Sequence, residues 1–229
     1  MIITIDGPAA SGKTSVARAL AQKLSWYYIL SGYLYRAMTY GLVKLYGDVD
    51  FNDIVVAEEH VIFLLNLIEY RCVIDDGVKV LYDGCDITVR LKDPLIDRNV
   101  SLVSKQGVVR EHIVKLQRDL ASNRDVIVEG RDCGTIVFPD AACKIFLTAD
   151  PLVRALRWQN DHIRQGLSIS LDECLRFIGE RDHRDETREI SPLKISSDAC
   201  VIDTSHDSFE EVIKKIIDML QARGIISQR

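Results

Sequence analysis

An α/β fold built on a parallel sheet is predicted by three observations. Five short apolar runs, Ile2–Ile5, Trp26–Leu30, Val126–Val128, Lys144–Leu147 and Cys200–Ile202, read as strands buried on both faces. Helical patterns fall between most of them, and strands alternating with helices imply parallel pairing. The first run leads straight into Gly7-Pro8-Ala9-Ala10-Ser11-Gly12-Lys13-Thr14 and then into a helix-like stretch. That spacing, G-x-x-x-x-G-K-T between strand and helix, is a phosphate-binding loop.

The loop fixes the ligand class. Glycines at both ends let the backbone curl so that its N–H groups face a polyphosphate, and the following helix adds the positive end of its dipole. Lys13 reaches the β- and γ-phosphates, and the Thr14 hydroxyl ligates Mg²⁺. Beyond the loop, Val16, Ala17, Leu20 and Leu24 form the apolar face of the first helix. After the second strand comes Leu30-Ser31-Gly32-Tyr33-Leu34-Tyr35-Arg36, which puts Arg36 about one turn into the next helix. Ile54, Val55, Val61, Ile62, Leu65 and Ile68 suggest a further helical face.

The rhythm then changes. Tyr70–Asp75, Lys79–Tyr82 and Ile87–Arg90 are short β-prone runs separated by Asp75-Asp76-Gly77 and Asp83-Gly84, which predicts an antiparallel meander inserted in the α/β core. Asp93-Pro94 and Asp150-Pro151 each read as an N-cap followed by proline at the first helical position. A second insertion spans Arg157 to about Arg188 and is rich in arginine and aspartate. The last helix runs from about Ser208 to Arg223, with Gly224 as its stop. With no repeats and no low-complexity linker, the 229 residues form one domain with two elaborations.

Composition narrows the function classes. Apolar residues make up 47% and charged residues 28%, as in ordinary globular proteins. The net charge of −5 argues against a non-specific nucleic-acid binder, so an anionic substrate needs a local basic cluster. No signal peptide and no membrane span are expected. Cys72, Cys85, Cys133, Cys143, Cys174 and Cys200 form no C-x-x-C pair and read as small core residues in a reducing cytoplasm. Cys133, inside a polar motif, is expected to be partly exposed, and no neighbouring His activates it.

Three further constellations surround the loop. Glu129-Gly130-Arg131-Asp132-Cys133-Gly134-Thr135 sits at the carboxyl end of a predicted strand, where ligands bind in open α/β sheets. Arg181-Asp182-His183-Arg184-Asp185-Glu186-Thr187-Arg188 places Arg181, then Arg184 or Asp185, then Arg188 on one helical face. Arginine grips phosphate bidentately, and aspartate accepts from ribose hydroxyls. Arg36, also at a strand's carboxyl end, is a candidate for a second phosphate group. A phosphate acceptor is already anionic and needs no strong base, so positioning and charge neutralisation suffice for phosphoryl transfer.

These residues resemble the bacterial cytidylate kinase family. The resemblance rests on Ile-Asp-Gly-Pro before the loop, Ser31-Gly32 with Tyr35-Arg36, and the Gly130-Arg131-Asp132-x-Gly134-Thr135-x-Val137-Phe138-Pro139-Asp140-Ala141 string. It extends to Arg181-Asp182 with Asp185 and Arg188, Ser191-Pro192-Leu193-Lys194 and Ile202-Asp203-Thr204. It implies a P-loop NTPase core with a five-stranded parallel sheet, a monophosphate-binding insertion at about 36–104 and a helical lid at about 155–188. It also implies transfer of a phosphoryl group from ATP to CMP or dCMP with Mg²⁺, in pyrimidine nucleotide metabolism. The expected state is a cytoplasmic monomer that binds neither membrane nor nucleic acid.

By that resemblance Gly7, Pro8, Ala9, Ala10, Ser11, Gly12, Lys13, Thr14 and Ser15 bind ATP with the lid arginines Arg154 and Arg157. Ser31, Arg36, Ser101, Arg110, Arg131, Asp132, Arg181, Asp185 and Arg188 bind CMP. Lys13, Arg131 and Arg157 are the catalytic set, and Thr14 holds Mg²⁺, partly through water. The chain departs from the family pattern at Leu30, where an acidic residue is usual, and at Tyr33, usually alanine, which narrows the acceptor pocket or shifts base preference. Ala10 stands where glycine is common, and Lys13-Thr14-Ser15 replaces Lys-Ser-Thr or Lys-Gly-Thr. The alternatives are another P-loop small-molecule kinase of uridylate or adenylate type, and a non-catalytic nucleotide-binding module. A GTPase switch would want Asn-Lys-x-Asp, which the chain lacks.

Overall fold

The computed structural model describes residues 1–73, 77–164 and 166–227. In chain order the elements are β1 (Ile2–Asp6), α1 (Lys13–Leu24), β2 (Tyr27–Leu30), α2 (Ser31–Tyr46), α3 (Glu58–Leu67), β3 (Ile68–Val73), β4 (Gly77–Tyr82) and β5 (Cys85–Asp86). They continue with α4 (Pro94–Ser104), α5 (Gly107–Ala121), β6 (Val126–Gly130), β7 (Cys143–Thr148), α6 (Pro151–Arg164), α7 (Leu171–Thr187), β8 (Cys200–Asp203) and α8 (Phe209–Ala222). A five-stranded sheet has the order β2-β6-β1-β7-β8, and a three-stranded sheet the order β3-β4-β5. The chain divides into two compact units, Met1–Leu20 with Glu129–Arg229, and Ala21–Val128. The insertion read at about 36–104 falls within the second and the lid at about 155–188 within the first.

In the first unit, β7 pairs in parallel with β1, Ile5 opposite Ile145, and with β8, Ile145 opposite Cys200. Ile3, Ile5, Ile145 and Leu147 are at most 1% exposed, which is why these strands read as unbroken apolar runs. The helices start where polar side chains meet orphan N–H groups. Asp150 accepts from the Leu152 N–H at 2.8 Å. Ser170 and Ser208 form capping boxes with Glu173 and Glu211. Helix α8 buries Val212, Ile213, Ile216 and Leu220, each worth about 1.5–3 kcal/mol. It stops at Gly224, whose φ is +66°.

In the second unit, β3 and β4 pair antiparallel with Tyr70 opposite Val80, and β4 pairs with β5 across a turn at Asp83 and Gly84. Both turn residues have positive φ, +49° and +75°, as a two-residue hairpin turn demands. The other expected turn involves Asp75 and Asp76, which lie outside the described residues. The third strand is Cys85–Asp86 rather than Ile87–Arg90. The Thr88 side-chain oxygen accepts the Val80 N–H at 2.9 Å in place of a third strand's carbonyl, and the chain then turns into a 3₁₀ segment at Arg90–Lys92.

The helical face expected from Ile54 to Ile68 also needs correction. Only 58–67 is helical, Val61 and Leu64 are its buried residues, Ile62 and Phe63 are exposed, and Ile68 opens β3. Asp93 precedes Pro94 at the start of α4 as expected, but its carbonyl rather than its side chain accepts the Ile96 and Asp97 N–H groups. Of the cysteines, Cys133, Cys143 and Cys174 are buried, whereas Cys85 is exposed. Cys133 is fully buried instead of partly exposed, because its N–H is tied down at 3.0 Å to the Asp6 carboxylate.

Candidate active site

The P-loop joins β1 to α1 and passes directly over β7. A Cβ on Gly7 would stand 2.0 Å from the Leu147 carbonyl oxygen, so the backbone clears the strand only without a side chain. Gly12 and Ala10 have φ of +90° and +56°. Glycine adopts this left-handed region freely, whereas alanine does so at a cost of roughly 1–2 kcal/mol. The Ser11 hydroxyl donates to the Pro8 carbonyl at 3.1 Å. Lys13 lies across the loop and donates to the same carbonyl at 2.5 Å and to Ser11 Oγ at 3.3 Å. Burial, then the neighbouring Arg131 and Arg181, lower its pKa to about 7 against the opposing pull of Glu129 and Asp185. Thr14 and Ser15 are exposed at the start of α1.

Beside the loop, the end of β6 supplies Glu129. The Thr14 hydroxyl donates to Glu129 Oε2 at 3.1 Å. Arg131 follows, its Nε donating to Asp185 Oδ2 at 2.8 Å and its Nη1 to the Gly130 carbonyl at 3.2 Å. The chain then enters one π-helical turn, Cys133–Val137. Asp6, at the end of β1, accepts the N–H groups of Cys133 at 3.0 Å and Gly134 at 2.7 Å, which fixes the Arg131-Asp132 segment over the strand ends. Burial raises the Asp6 pKa to about 6 in spite of those two bonds, with the charge of Asp132 adding to the rise. Gly134 is sterically required there, since a Cβ would meet Thr4 Oγ1 at 2.8 Å.

Helix α7 brings the third group. Asp182 and Asp185 are buried, Arg181 is half-buried, and Arg184 points to solvent, its Nε bonded back to the Glu180 carbonyl. The face shared with Arg181 and Arg188 is therefore that of Asp185, not Arg184. Arg188 caps the helix, its Nε donating to the Ser191 carbonyl at 2.5 Å, and lies 3.6 Å from Asp132 and 3.8 Å from Asp185. Burial alone would raise the Asp185 carboxyl, but Arg131, Arg181 and Arg188 together hold it below the ordinary range. Lys13, Arg131, Asp132, Arg181, Asp185 and Arg188, far apart in sequence, thus converge on one charged cluster beside the P-loop.

Arg154 and Arg157, the two arginines expected in a lid, have different surroundings. Arg154 is 7% exposed and bonds to the Ala149 carbonyl, the Ala9 carbonyl and Asp182. Arg157 is half-buried and donates to the Thr204 hydroxyl at 3.0 Å and the Thr204 carbonyl at 2.6 Å.

Within the second unit, Ser31 is buried at the start of α2, and Arg36 on the same helix pairs with Asp97 and donates to the Leu91 carbonyl at 2.8 Å. Ser101 is half-buried on α4. Arg110, 3% exposed, donates to the Ser104 carbonyl at 3.1 Å and lies 5.3 Å over the Tyr35 ring. Tyr33 is half-buried, and Leu30 is a core residue whose N–H donates to the Tyr70 hydroxyl at 2.8 Å.

Sequence reasoning passed over three acidic residues that matter here: Asp6, Glu129 and Asp182. Each had a signal. Asp6 and Glu129 close apolar strands at the ligand-binding edge, and Asp182 stands one helical turn before Asp185.

Comparisons with known proteins agree over the whole chain. The family model described as cytidylate kinase matches residues 3–222. A cytidylate kinase of Acholeplasma laidlawii (strain PG-8A) is 39% identical over 229 residues, covering 99% of this chain and 98% of that protein. The cytidylate kinase of Bacillus subtilis (strain 168) is 38% identical over 223 residues, covering 97% of each. A crystal structure of an uncharacterized protein from Eubacterium ventriosum ATCC 27560 matches with a TM-score of 0.52 at 13% identity, covering 97% of this chain and 99% of that one, a likeness of fold. The phosphate-binding loop, the Gly-Arg-Asp segment and near-full-length similarity agree that the chain belongs to the cytidylate kinase family.

Proposed function

We propose that the chain transfers the γ-phosphoryl group of ATP to CMP or dCMP, giving ADP and CDP or dCDP. The observation that carries this reading is the convergence of Lys13, Arg131 and Asp185 beside a P-loop, in a member of the cytidylate kinase family. An acceptor phosphate oxygen attacks the γ-phosphorus, and the bond to the bridging β–γ oxygen breaks, its electron pair leaving on ADP. Negative charge spreads over the transferring group, and fixed cations beside it lower the barrier.

Each residue then has a part. The N–H groups of the 7–15 loop cradle the donor phosphates, and Lys13 leaves the Pro8 carbonyl to meet them. Arg131 holds the acceptor phosphate near the transferring group while Asp185 keeps its guanidinium aligned. Arg157 exchanges Thr204 for the transferring phosphoryl group, and Arg154 serves the donor side. Asp132, Arg181, Asp185 and Arg188 of the first unit are assigned to base and sugar contacts. Ser31, Arg36, Ser101 and Arg110 of the second unit are assigned to phosphate and base. An aspartate accepts from the cytosine N4 amino group, and serine or arginine donates to O2 and N3.

The Thr14 hydroxyl and the Glu129 carboxylate, 3.1 Å apart, are hard oxygen donors that suit Mg²⁺, an ion that keeps several of its waters and takes few protein ligands. When bound, Mg²⁺ neutralises charge between the β- and γ-phosphates. Thr14 would hold it, partly through water, and Glu129 would orient those waters. We further read the protein as a cytoplasmic monomer acting on free nucleotides, and the net charge of −5 weighs against non-specific nucleic-acid binding.

The test is an ADP-release assay with ATP, Mg²⁺ and each of CMP, dCMP, UMP and AMP, with shikimate as an unrelated acceptor. CMP and dCMP should dominate. Faster turnover of AMP or shikimate would overturn the acceptor assignment, and ATP binding without transfer to any acceptor would favour a binding module.

A further inference from the structure

We infer that Asp182 and Arg154 are positioning residues for the ATP-binding loop, acting through the backbone of Ala9. Asp182 Oδ1 accepts the Ala9 N–H at 2.9 Å, and its other oxygen accepts from Arg154 Nη1. The same Arg154 nitrogen reaches the Ala9 carbonyl at 3.0 Å, which closes a ring around both polar groups of one residue. Arg154 Nε is anchored to the Ala149 carbonyl at 3.0 Å, at the end of the β7 connection. Both residues are 7% exposed. The Ala9 methyl packs with Ala155, Cys174 and Ile178 of α6 and α7.

The inference rests on the reading of the loop as the ATP site. Ala9 stands four residues before Lys13, and the next residue, Ala10, holds a left-handed φ of +56°. A loop with an alanine at that conformation is under local strain and needs outside support to keep it. The ring supplies it from two helices. Rotation of the Ala9 peptide would re-aim the N–H groups that follow it, which are those facing the phosphates. Both side chains bond to protein groups here, so the service of Arg154 to the donor side is read as acting through the loop and not by contact with ATP. The pair's effect should therefore fall on donor affinity and not on the acceptor.

A structural role alone would lower the melting temperature and leave both substrates' affinities in proportion. The test measures ATP affinity by calorimetry on the full chain for wild type, Asp182→Asn, Arg154→Lys and the double variant, with CMP KM read at saturating ATP. Asparagine keeps an acceptor for the Ala9 N–H but presents a donor to Arg154. Lysine keeps the charge but cannot bond the Ala9 and Ala149 carbonyls together. Each single variant should weaken ATP binding about tenfold, the double variant little more than either, and CMP KM should stay within about twofold. Unchanged ATP affinity in a folded variant, a parallel rise in CMP KM, or additive effects in the double variant would overturn the inference. Should Asp182→Asn fail to fold, Arg154→Lys carries the test. Because ATP affinity is read directly, a wild-type protein that binds ATP but ignores CMP would defeat the proposed reaction and leave this inference standing.

Discussion

The hydroxyl of Thr14 donates to the carboxylate of Glu129 across 3.1 Å, linking the first turn of α1 to the end of β6. The pair joins the two hard oxygen groups proposed to handle Mg²⁺. Glu129→Gln keeps the size and one acceptor but removes the charge. Partners that orient a metal's ligands are typically worth 10–100-fold in affinity or activity. The rate at limiting Mg²⁺ should therefore fall about 10–100-fold, and excess Mg²⁺ should restore part of it. A Mg²⁺ titration of the rate checks this, and identical titration curves for variant and wild type would remove Glu129 from the metal site.

Arg131→Ala should lower kcat by about 10²–10³-fold, the usual loss when one group stabilising transition-state charge is removed. Its bidentate reach and its bond to Asp185 are specific to a guanidinium, so Arg131→Lys should recover little. Steady-state kinetics on both variants checks this. A lysine variant with near-wild-type turnover would reduce Arg131 to a simple source of charge.

The parallel strands were legible because burial on both faces leaves a continuous apolar run, visible residue by residue from Ile2 to Ile5 and from Lys144 to Leu147. The P-loop was legible because its chemistry is local, confined to eight consecutive residues. The third meander strand was not, because a side-chain oxygen on Thr88 replaces the backbone and no propensity scale registers that substitution. The Ile54–Ile68 stretch misled for a related reason: its last residue belongs to a strand that follows the helix without a break. The bond from Asp182 to Ala9 spans 173 positions and depends on how α7 packs, which the motif around Arg181 does not encode.

Gly7 and Ala10 should respond in opposite ways to substitution. Gly7→Ala forces a side chain into the Leu147 carbonyl at a φ of +149°, and should cost about 2–4 kcal/mol in strain and overpacking. Ala10→Gly removes roughly 1–2 kcal/mol of left-handed strain but adds about 0.4–1 kcal/mol of unfolded-state entropy. The net change should lie between about zero and a gain of about 1.6 kcal/mol. Urea unfolding of the two variants measures both. A tolerated Gly7→Ala would contradict the close passage over β7.

Asp6 gives a pH signature in stability. Its folded pKa of about 6 lies above the ordinary 3.8, so the folded state holds more protons between those values. Its favourable contribution is complete below about 3.8 and is lost as pH rises through 6, a change of order 3 kcal/mol. Asp6→Asn removes the titration. The stability difference, wild type minus variant, should decline between pH 4 and 6.5. A flat difference would mean that the two N–H bonds from Cys133 and Gly134 offset burial fully.

Lys13 should make ATP binding pH-dependent. In the free protein its pKa is about 7, lowered chiefly by burial and then by Arg131. A folded pKa below the ordinary 10.5 means that the unfolded state holds more protons between 7 and 10.5, so this lysine's contribution to stability improves as pH rises through that window. Binding works the other way. A polyphosphate restores the opposite charge that burial denies the ammonium, so the bound form regains its proton. Above pH 7, ATP binding should take up close to one proton, and apparent affinity should fall by up to about tenfold per pH unit. Calorimetry at pH 8 in two buffers of different ionisation heat reads the uptake directly. Lys13→Met should abolish it together with most of the activity, because the hydrophobic chain keeps the packing and loses the charge. Proton uptake that survives in Lys13→Met would assign the titration to another group beside the loop.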